Sequence, residues 1–416
     1  MKFGEVKCTV VPIERNKRRP LNTLRMIKIK SIISLTFVSN RNYKLSLMSK
    51  FDTVPAENYF QSLDVVRFIC AFMIVIGHTY GGITDGTPYH TLVNNLGFGV
   101  EVFFLISGFL ITYLLIIEKD KSQAINFKLF YFKRVLRIFP LYYLAILMAP
   151  VFHYFFNEVE PNYTHQIFFF GNFELINGWI STAVNHLWSI CIEEHFYIVW
   201  PILIYRVPLK KLPIAFGVFI LISAIFRGYT FLTAEWGGHL ILYLHTISRW
   251  DTLAIGGLLA YAYYYKSFAI KTTFLQRLPL YLIFIAAFIL VPYKDWNSVF
   301  ASVFLKYIFI FVPAFAIGNI LFNPNSILKL KTPGFFHYLG KISYGLYIYH
   351  PFAILLLIAV FKMERNLFLL LPVTIITILV SMLSYHFFEK PILSLKYRFF
   401  NTPTVTAIEE KDVVSA

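Results

Sequence analysis

Ten stretches of this chain are each long and apolar enough to cross a hydrocarbon layer, which takes roughly 20 residues of helix. They lie near 63–80, 97–117, 136–156, 187–205, 212–233, 239–262, 279–294, 299–322, 339–361 and 367–388. Helices pair every backbone N–H and C=O within one segment, so a chain of this kind crosses lipid as a helical bundle. The predicted fold class is all-α, a polytopic membrane protein of about ten transmembrane helices. Composition points the same way, because only 14% of the 416 residues are charged against roughly 25% in soluble domains. Disorder is excluded by 45 Phe, 27 Tyr and 6 Trp, far more apolar surface than an unfolded chain tolerates.

The distribution of Lys and Arg orients the bundle. Basic connections hold Lys119, Lys121, Lys128, Lys133, Arg134 and Arg137; Arg206, Lys210 and Lys211; Lys266, Lys271 and Arg277; and Lys329, Lys331 and Lys341. Residues 81–96 and 157–186 contain neither Lys nor Arg. With the positive loops inside, both termini are expected in the cytoplasm. The net charge of +16 then has a membrane explanation, and no nucleic-acid partner is expected. Half of it sits in residues 1–58, where twelve Lys/Arg face four Asp/Glu. This leader lacks an apolar core of signal-peptide length, and Met48 is a candidate true start; the rival reading is a polybasic arm on anionic lipid. The expected organisation is a leader over 1–58, a membrane domain over 59–391 and a short cytoplasmic tail over 392–416.

Cys8, Cys70 and Cys191 form an odd set without CxxC spacing, so neither a disulfide framework nor a thiolate metal site is indicated. Cys70 and Cys191 read as small buried hydrophobes.

Charges inside a membrane are costly and are candidate functional groups. In the first stretch Arg67 and His78 are eleven residues apart, three helical turns plus about 20°, so they share a face roughly 16 Å apart. Asp64 stands three residues before Arg67 and can pair with it. The second stretch carries Glu101 and the pair Ser107-Gly108; a small pair of this kind ordinarily serves close helix packing. Gly-x-Ser-x-Gly is absent, which argues against a serine nucleophile. The segment Phe132-Lys133-Arg134-Val135-Leu136-Arg137 places two guanidiniums three residues apart beside Lys133, able to grip phosphate bidentately or simply to anchor the loop. His186, Ser189, Glu193 and Tyr197 recur at three- and four-residue spacing and make one polar stripe. HExxH is missing, so no metal is expected. Arg249 and Asp251 precede Gly256-Gly257, Arg227 lies in the fifth stretch, and Ser343, Tyr347 and His350 form a second stripe. Glu389 reads as a cap or a partner for a basic loop.

Taken together these blocks resemble the membrane acyltransferase-3 family of O-acyltransferases. The matching segments are LDxxRF with its Arg and His, GVEVFFLISGFLIT, KRxxRIFPLYY, HLWSIxIEExFYIVWP, RWDTLAIGGLLA and KISYGLYIYHP, in family order from about 60 to 391. Departures are mild: Val65 replaces a frequent Gly, Glu101 a frequent Asp, and Cys191 a small Ser or Ala. The resemblance implies transfer of an acyl group, usually acetyl from acetyl-CoA, to a hydroxyl, with acyl-CoA as co-substrate and no permanently bound cofactor. It implies an envelope glycan such as O-antigen, exopolysaccharide or peptidoglycan as acceptor, in the bacterial inner membrane. His78 becomes the expected general base or a covalent acyl carrier, and Glu193 the group that orients it. Arg67, Asp64, His186 and Trp188 would shape the pocket, and Arg134, Arg137 and Lys133 would meet the CoA phosphates. Tyr197, Ser107, Arg249, Asp251, Ser343, Tyr347 and His350 complete the expected binding residues. A small-molecule or lipid acceptor, or a transporter without acyl transfer, are the competing readings. The loop over 157–186, with Glu158, Glu160 and Glu174, is the expected seat of acceptor selectivity.

Overall fold

The computed structural model describes residues 60–81, 83–156, 162–178, 182–234, 238–266, 272–292, 298–323, 325–329 and 334–400. The leader with Met48, the end of the tail and Glu158 and Glu160 lie outside these. Every regular element among the described residues is helical. The long helices are α1 (Gln61–Tyr80), α2 (Gly99–Ser122), α3 (Phe127–Phe156), α4 (Trp188–Arg206), α5 (Leu212–Thr233), α6 (Thr246–Tyr264), α7 (Phe274–Leu290), α8 (Lys306–Phe322), α9 (Ser343–Leu355) and α10 (Leu370–Ser384). Eight helical segments among the described residues are long and apolar enough to span a membrane. The other two of the ten stretches are helical as well. The sixth is broken at His245 and carries charges in α6, and the seventh is the 17-residue α7.

Local chemistry starts several of these helices. Thr273 and Gln276 form a capping box at α7, each side-chain oxygen accepting the other residue's backbone N–H at 3.4 and 2.8 Å, which satisfies two donors that a helix start leaves open. At the far end of α4 the Lys119 ammonium donates to the carbonyls of Ile204 and Val207, both at 2.7 Å. A cation at a helix C-terminus complements the dipole as well as the unpaired carbonyls.

Two contacts set the core. Helices α2 and α6 touch backbone to backbone: a Cβ on Gly108 would stand 2.8 Å from the Leu253 carbonyl carbon, and one on Gly256 would stand 2.7 Å from the Phe109 nitrogen. The packing role expected of Ser107-Gly108 is thus met by the glycine. Around this crossing lies a cluster of five buried charges from four helices. Arg249 pairs with Glu101 of α2. Asp251 takes Arg227 of α5 at 2.6 Å and Lys306 of α8 at 2.7 Å, and Lys306 also reaches Glu101 at 3.4 Å. Thr252 donates to Glu101 at 2.8 Å. Lys306 is a group that the sequence reading passed over, although a lone lysine inside an apolar stretch is its own signal.

Helices α2 and α4 run parallel, joined at Ser107 with Glu193 and at Thr112 with Trp200. Helix α3 is antiparallel to α4, with Tyr131 opposite Ile198 and Tyr142 opposite Cys191. Cys70 and Cys191 are buried free thiols, as expected. The segment 162–178, expected as an external loop, instead folds back into the bundle. Tyr142 donates to the Gln166 carbonyl at 2.6 Å and Tyr143 to the Ile167 carbonyl at 2.9 Å. Phe169 stacks on Tyr142 with ring centroids 4.4 Å apart. Tyr142 is central in the 30-residue α3, about 22 Å from either end by helical rise, so the segment packs against the middle of that helix. A run of three Phe makes that packing favourable, and tyrosine hydroxyls replace the water its carbonyls lose.

The cluster holds three cationic side chains against two carboxylates, so losing a carboxylate should cost far more than losing a cation. Glu101→Gln is expected to destabilise the detergent-solubilised protein by about 3–5 kcal/mol, the range for breaking a buried pair, and Lys306→Met by much less. Thermal unfolding of the two variants side by side checks the ranking; a larger loss for Lys306→Met would refute it.

Candidate active site

Helices α1 and α9 lie parallel, and near their C-terminal ends two imidazoles meet. His78 Nδ1 and His350 Nε2 are 2.8 Å apart, with ring centroids at 5.0 Å. His350 is completely buried while His78 is exposed. The second nitrogen of His350, Nδ1, lies 3.2 Å from the Leu346 carbonyl one turn back. Pro351, next in sequence, has no N–H to return to Tyr347, which loosens the helix ladder where the ring folds back.

A carbonyl only accepts, so Nδ1 of neutral His350 carries the proton and its Nε2 is the acceptor. Nδ1 of His78 is then the donor, and Nε2 of His78 keeps its lone pair. Two imidazoles and one carbonyl thereby fix the tautomer of the exposed ring.

The first half of the expected stripe, His186 just before α4 and Ser189 within it, adjoins this pair. The His186 ring contacts His350 at 5.4 Å, edge to face. The Tyr347 hydroxyl bonds the His186 carbonyl and lies 2.6 Å from Ser189 Oγ. Trp188 packs between Phe104 and Tyr243 at 6.3 and 5.0 Å, and Tyr243 in turn carries Arg249 over its ring at 4.4 Å. Ser343 opens α9 and is buried, two turns below His350.

Glu193 differs from expectation. Its carboxylate accepts from Ser107 Oγ at 2.7 Å and from Tyr197 OH at 3.2 Å, and the ring bonded to His78 is His350 instead. The reason is register: parallel α2 and α4 bring residue 107 opposite 193. Glu193 also faces Arg67 and Arg137 electrostatically, so it belongs to a second polar group nearer the start of α1. In that group Arg67 pairs with Asp64 at 3.1 Å, as its spacing predicts. His337, unforeseen in the sequence, stands 3.4 Å from the other Asp64 oxygen. Glu389 faces Arg137 electrostatically, in keeping with its reading as a partner for a basic loop.

The basic triplet is divided. Arg137 is exposed. Arg134 folds against the rings of Phe130 and Tyr197 at 5.8 and 5.7 Å, and Lys133 interacts with Glu118. Adjacent helical residues point about 100° apart, so Lys133 and Arg134 do not converge. Arg249 and Asp251 likewise face the buried charge cluster and not the imidazoles. Among the described residues no group of three or more His, Cys, Asp or Glu is arranged to hold a metal ion.

This geometry lies inside a region shared with known proteins. The family described as acyltransferase domain, acyltransferase-3, matches residues 60–386. The protein named "Putative peptidoglycan O-acetyltransferase YrhL" of Bacillus subtilis (strain 168) is 30% identical over 346 residues, 75% of this chain and 53% of the relative. "O-acetyltransferase OatA" of Staphylococcus aureus (strain NCTC 8325 / PS 47) is 26% identical over 384 residues, 84% of this chain and 60% of the relative. The chain therefore spans between half and two thirds of the length of these curated relatives. No solved structure matches it. With its six sequence blocks folded into one helical bundle around paired imidazoles, this chain belongs to the acyltransferase-3 family.

Proposed function

We propose that this chain transfers an acetyl group from acetyl-CoA to a hydroxyl of a cell-envelope glycan at the bacterial cytoplasmic membrane. The relatives' names favour peptidoglycan as that glycan. The observation that carries the reading is the hydrogen-bonded pair His78 and His350. His78 is exposed and, with Nδ1 as the donor to His350, Nε2 is its proton-accepting nitrogen, as a general base needs.

In this reading the acceptor hydroxyl gives its proton to His78 Nε2 as its oxygen attacks the thioester carbonyl. The carbon–sulfur bond breaks, and the proton passes from His78 to the departing thiolate, giving CoA thiol and the acetyl ester. His350 is a positioning residue, holding Nδ1 of His78 as donor. Acetyl-CoA enters as a co-substrate. With both termini in the cytoplasm, exposed Arg137 stands on the cytoplasmic side beside Arg67 and Glu193, where it binds donor phosphate, and His78 lies about three helical turns deeper. Tyr197 and Ser107 hold Glu193 at the boundary between the two groups.

Four measurements test this. In proteoliposomes supplied with acetyl-CoA and a glycan acceptor, His78→Ala is expected to lower kcat by about 10²–10⁴, the usual worth of a positioned acid–base group. Transfer at the normal rate by an inserted, folded variant would sink the assignment. His350→Phe removes the acceptor nitrogen behind His78. It should reduce kcat by roughly tenfold or more and displace the acid limb of the pH–rate profile, whereas a purely structural loss would lower activity at all pH values alike. Arg137→Ala should raise KM for acetyl-CoA with kcat nearly unchanged, and Arg137→Lys should restore only part of the affinity because a point charge replaces a bidentate fork. An unchanged KM would remove Arg137 from the donor site. Deleting the gene and weighing released envelope glycans for a missing acetyl group tests the acceptor class in the cell.

A further inference from the structure

The last membrane helix is longer than the layer it crosses. From Leu367 to Lys396 the chain is one helical segment of 30 residues, about 45 Å by helical rise, against a bilayer core of roughly 30 Å. After α10 a single wider turn, Tyr385–Glu389, leads directly into α11 (Lys390–Phe400). Residues 392–400, expected within a short tail, therefore continue a membrane helix.

One face of this helix looks away from the bundle. Leu379, Leu383, Phe387, Lys390, Ser394 and Arg398 follow one another at three- and four-residue spacing and are all exposed, so they are neighbours on a single outward stripe. Its first three members are apolar, with Phe387 at 80% exposure. Its last three are polar, and two are cations. The change falls between Phe387 and Lys390, about 4.5 Å along the axis, and marks where hydrocarbon gives way to headgroups. Long Lys and Arg side chains can bend back to that layer from beyond it.

The inward side is occupied by protein. Tyr349 of α9 donates to Ser384 at 2.9 Å, and Ser384 donates to Glu389 at 3.3 Å. Phe399 meets the Phe132 ring of α3 with centroids 5.4 Å apart. Glu389 faces Arg137, so the nearest carboxylate is directed away from the outward cations. His386, exposed beside Phe387, is bonded to Tyr338 at 2.9 Å. Helix α11 itself contains Lys390, Lys396 and Arg398 but no Asp or Glu.

An outward cation just past the hydrocarbon meets the headgroup layer. A headgroup with net negative charge gains from both Lys390 and Arg398, whereas a zwitterionic one sets its own ammonium against them. A soluble anion finds no second protein wall on this side to hold it. We propose that the outward face of α10 and α11 is a docking surface for anionic phospholipid, with the phosphate at Lys390 and Arg398 and the acyl chains along Leu379, Leu383 and Phe387. It uses none of the residues assigned to acetyl transfer.

Photolabelling of the full chain in lipid nanodiscs tests this without any acyl donor, so its outcome is independent of the acetyl-transfer reading. Phosphatidylglycerol carrying a diazirine on its headgroup is compared with phosphatidylcholine labelled in the same way, and labelled peptides are mapped by mass spectrometry. Phosphatidylglycerol is expected to label residues 387–400 about fivefold more, the preference that one interfacial cation supplies. Unlabelled phosphatidylglycerol should compete, and the preference should fall in about 1 M salt, where charges are screened within about 3 Å. Combining Lys390→Gln with Arg398→Gln should bring the ratio of the two lipids close to one without changing the unfolding temperature, because both side chains are exposed. Lys210→Gln with Lys211→Gln, in the basic loop before α5, should leave the ratio as it was. Equal labelling by the two lipids, or loss of the label to added CoA instead of to phosphatidylglycerol, would overturn the proposal.

Discussion

Neutralising charge without water is the constraint on which this bundle rests. Glu101 and Asp251 cannot be left alone in a hydrocarbon interior, and they are met by Arg249, Arg227 and Lys306 from three other positions along the chain. Because the partners sit on α2, α5, α6 and α8, the pairing holds four helices in one arrangement. Close backbone contact at Gly108 and Gly256 is what lets Glu101 and Thr252 approach. From this cluster Arg249 lies over the ring of Tyr243, which packs in turn on Trp188 at the start of α4.

Much of the architecture is legible in the sequence because membrane helices announce themselves by length and apolarity. The stripe His186, Ser189, Glu193 and Tyr197 is likewise readable, since helical periodicity alone puts these residues on one face. Asp64 with Arg67 follows from a three-residue spacing. What spacing cannot give is register between helices. His78 and His350 are 272 positions apart, and only the parallel seating of α1 and α9 joins them. The same holds for Ser107 and Glu193, which meet because α2 and α4 run side by side in the same direction.

The folded-back segment shows a different limit. A stretch without Lys or Arg reads as an external loop by charge, and residues 162–178 fit that description. Their packing depends on the hydroxyls of Tyr142 and Tyr143, some twenty residues earlier, which satisfy carbonyls that would otherwise require water. No local pattern encodes that arrangement. Lys306 is the opposite case, a visible charge in an apolar stretch whose meaning appears only with its partners Asp251 and Glu101.

The packing of that segment alters the barrier itself. A bilayer core is roughly 30 Å thick, and where irregular backbone packs against Tyr142 and Tyr143 part of that layer is replaced by protein with its own hydrogen-bonding groups. For anything handed between the two faces of this chain, the insulating layer is locally thin.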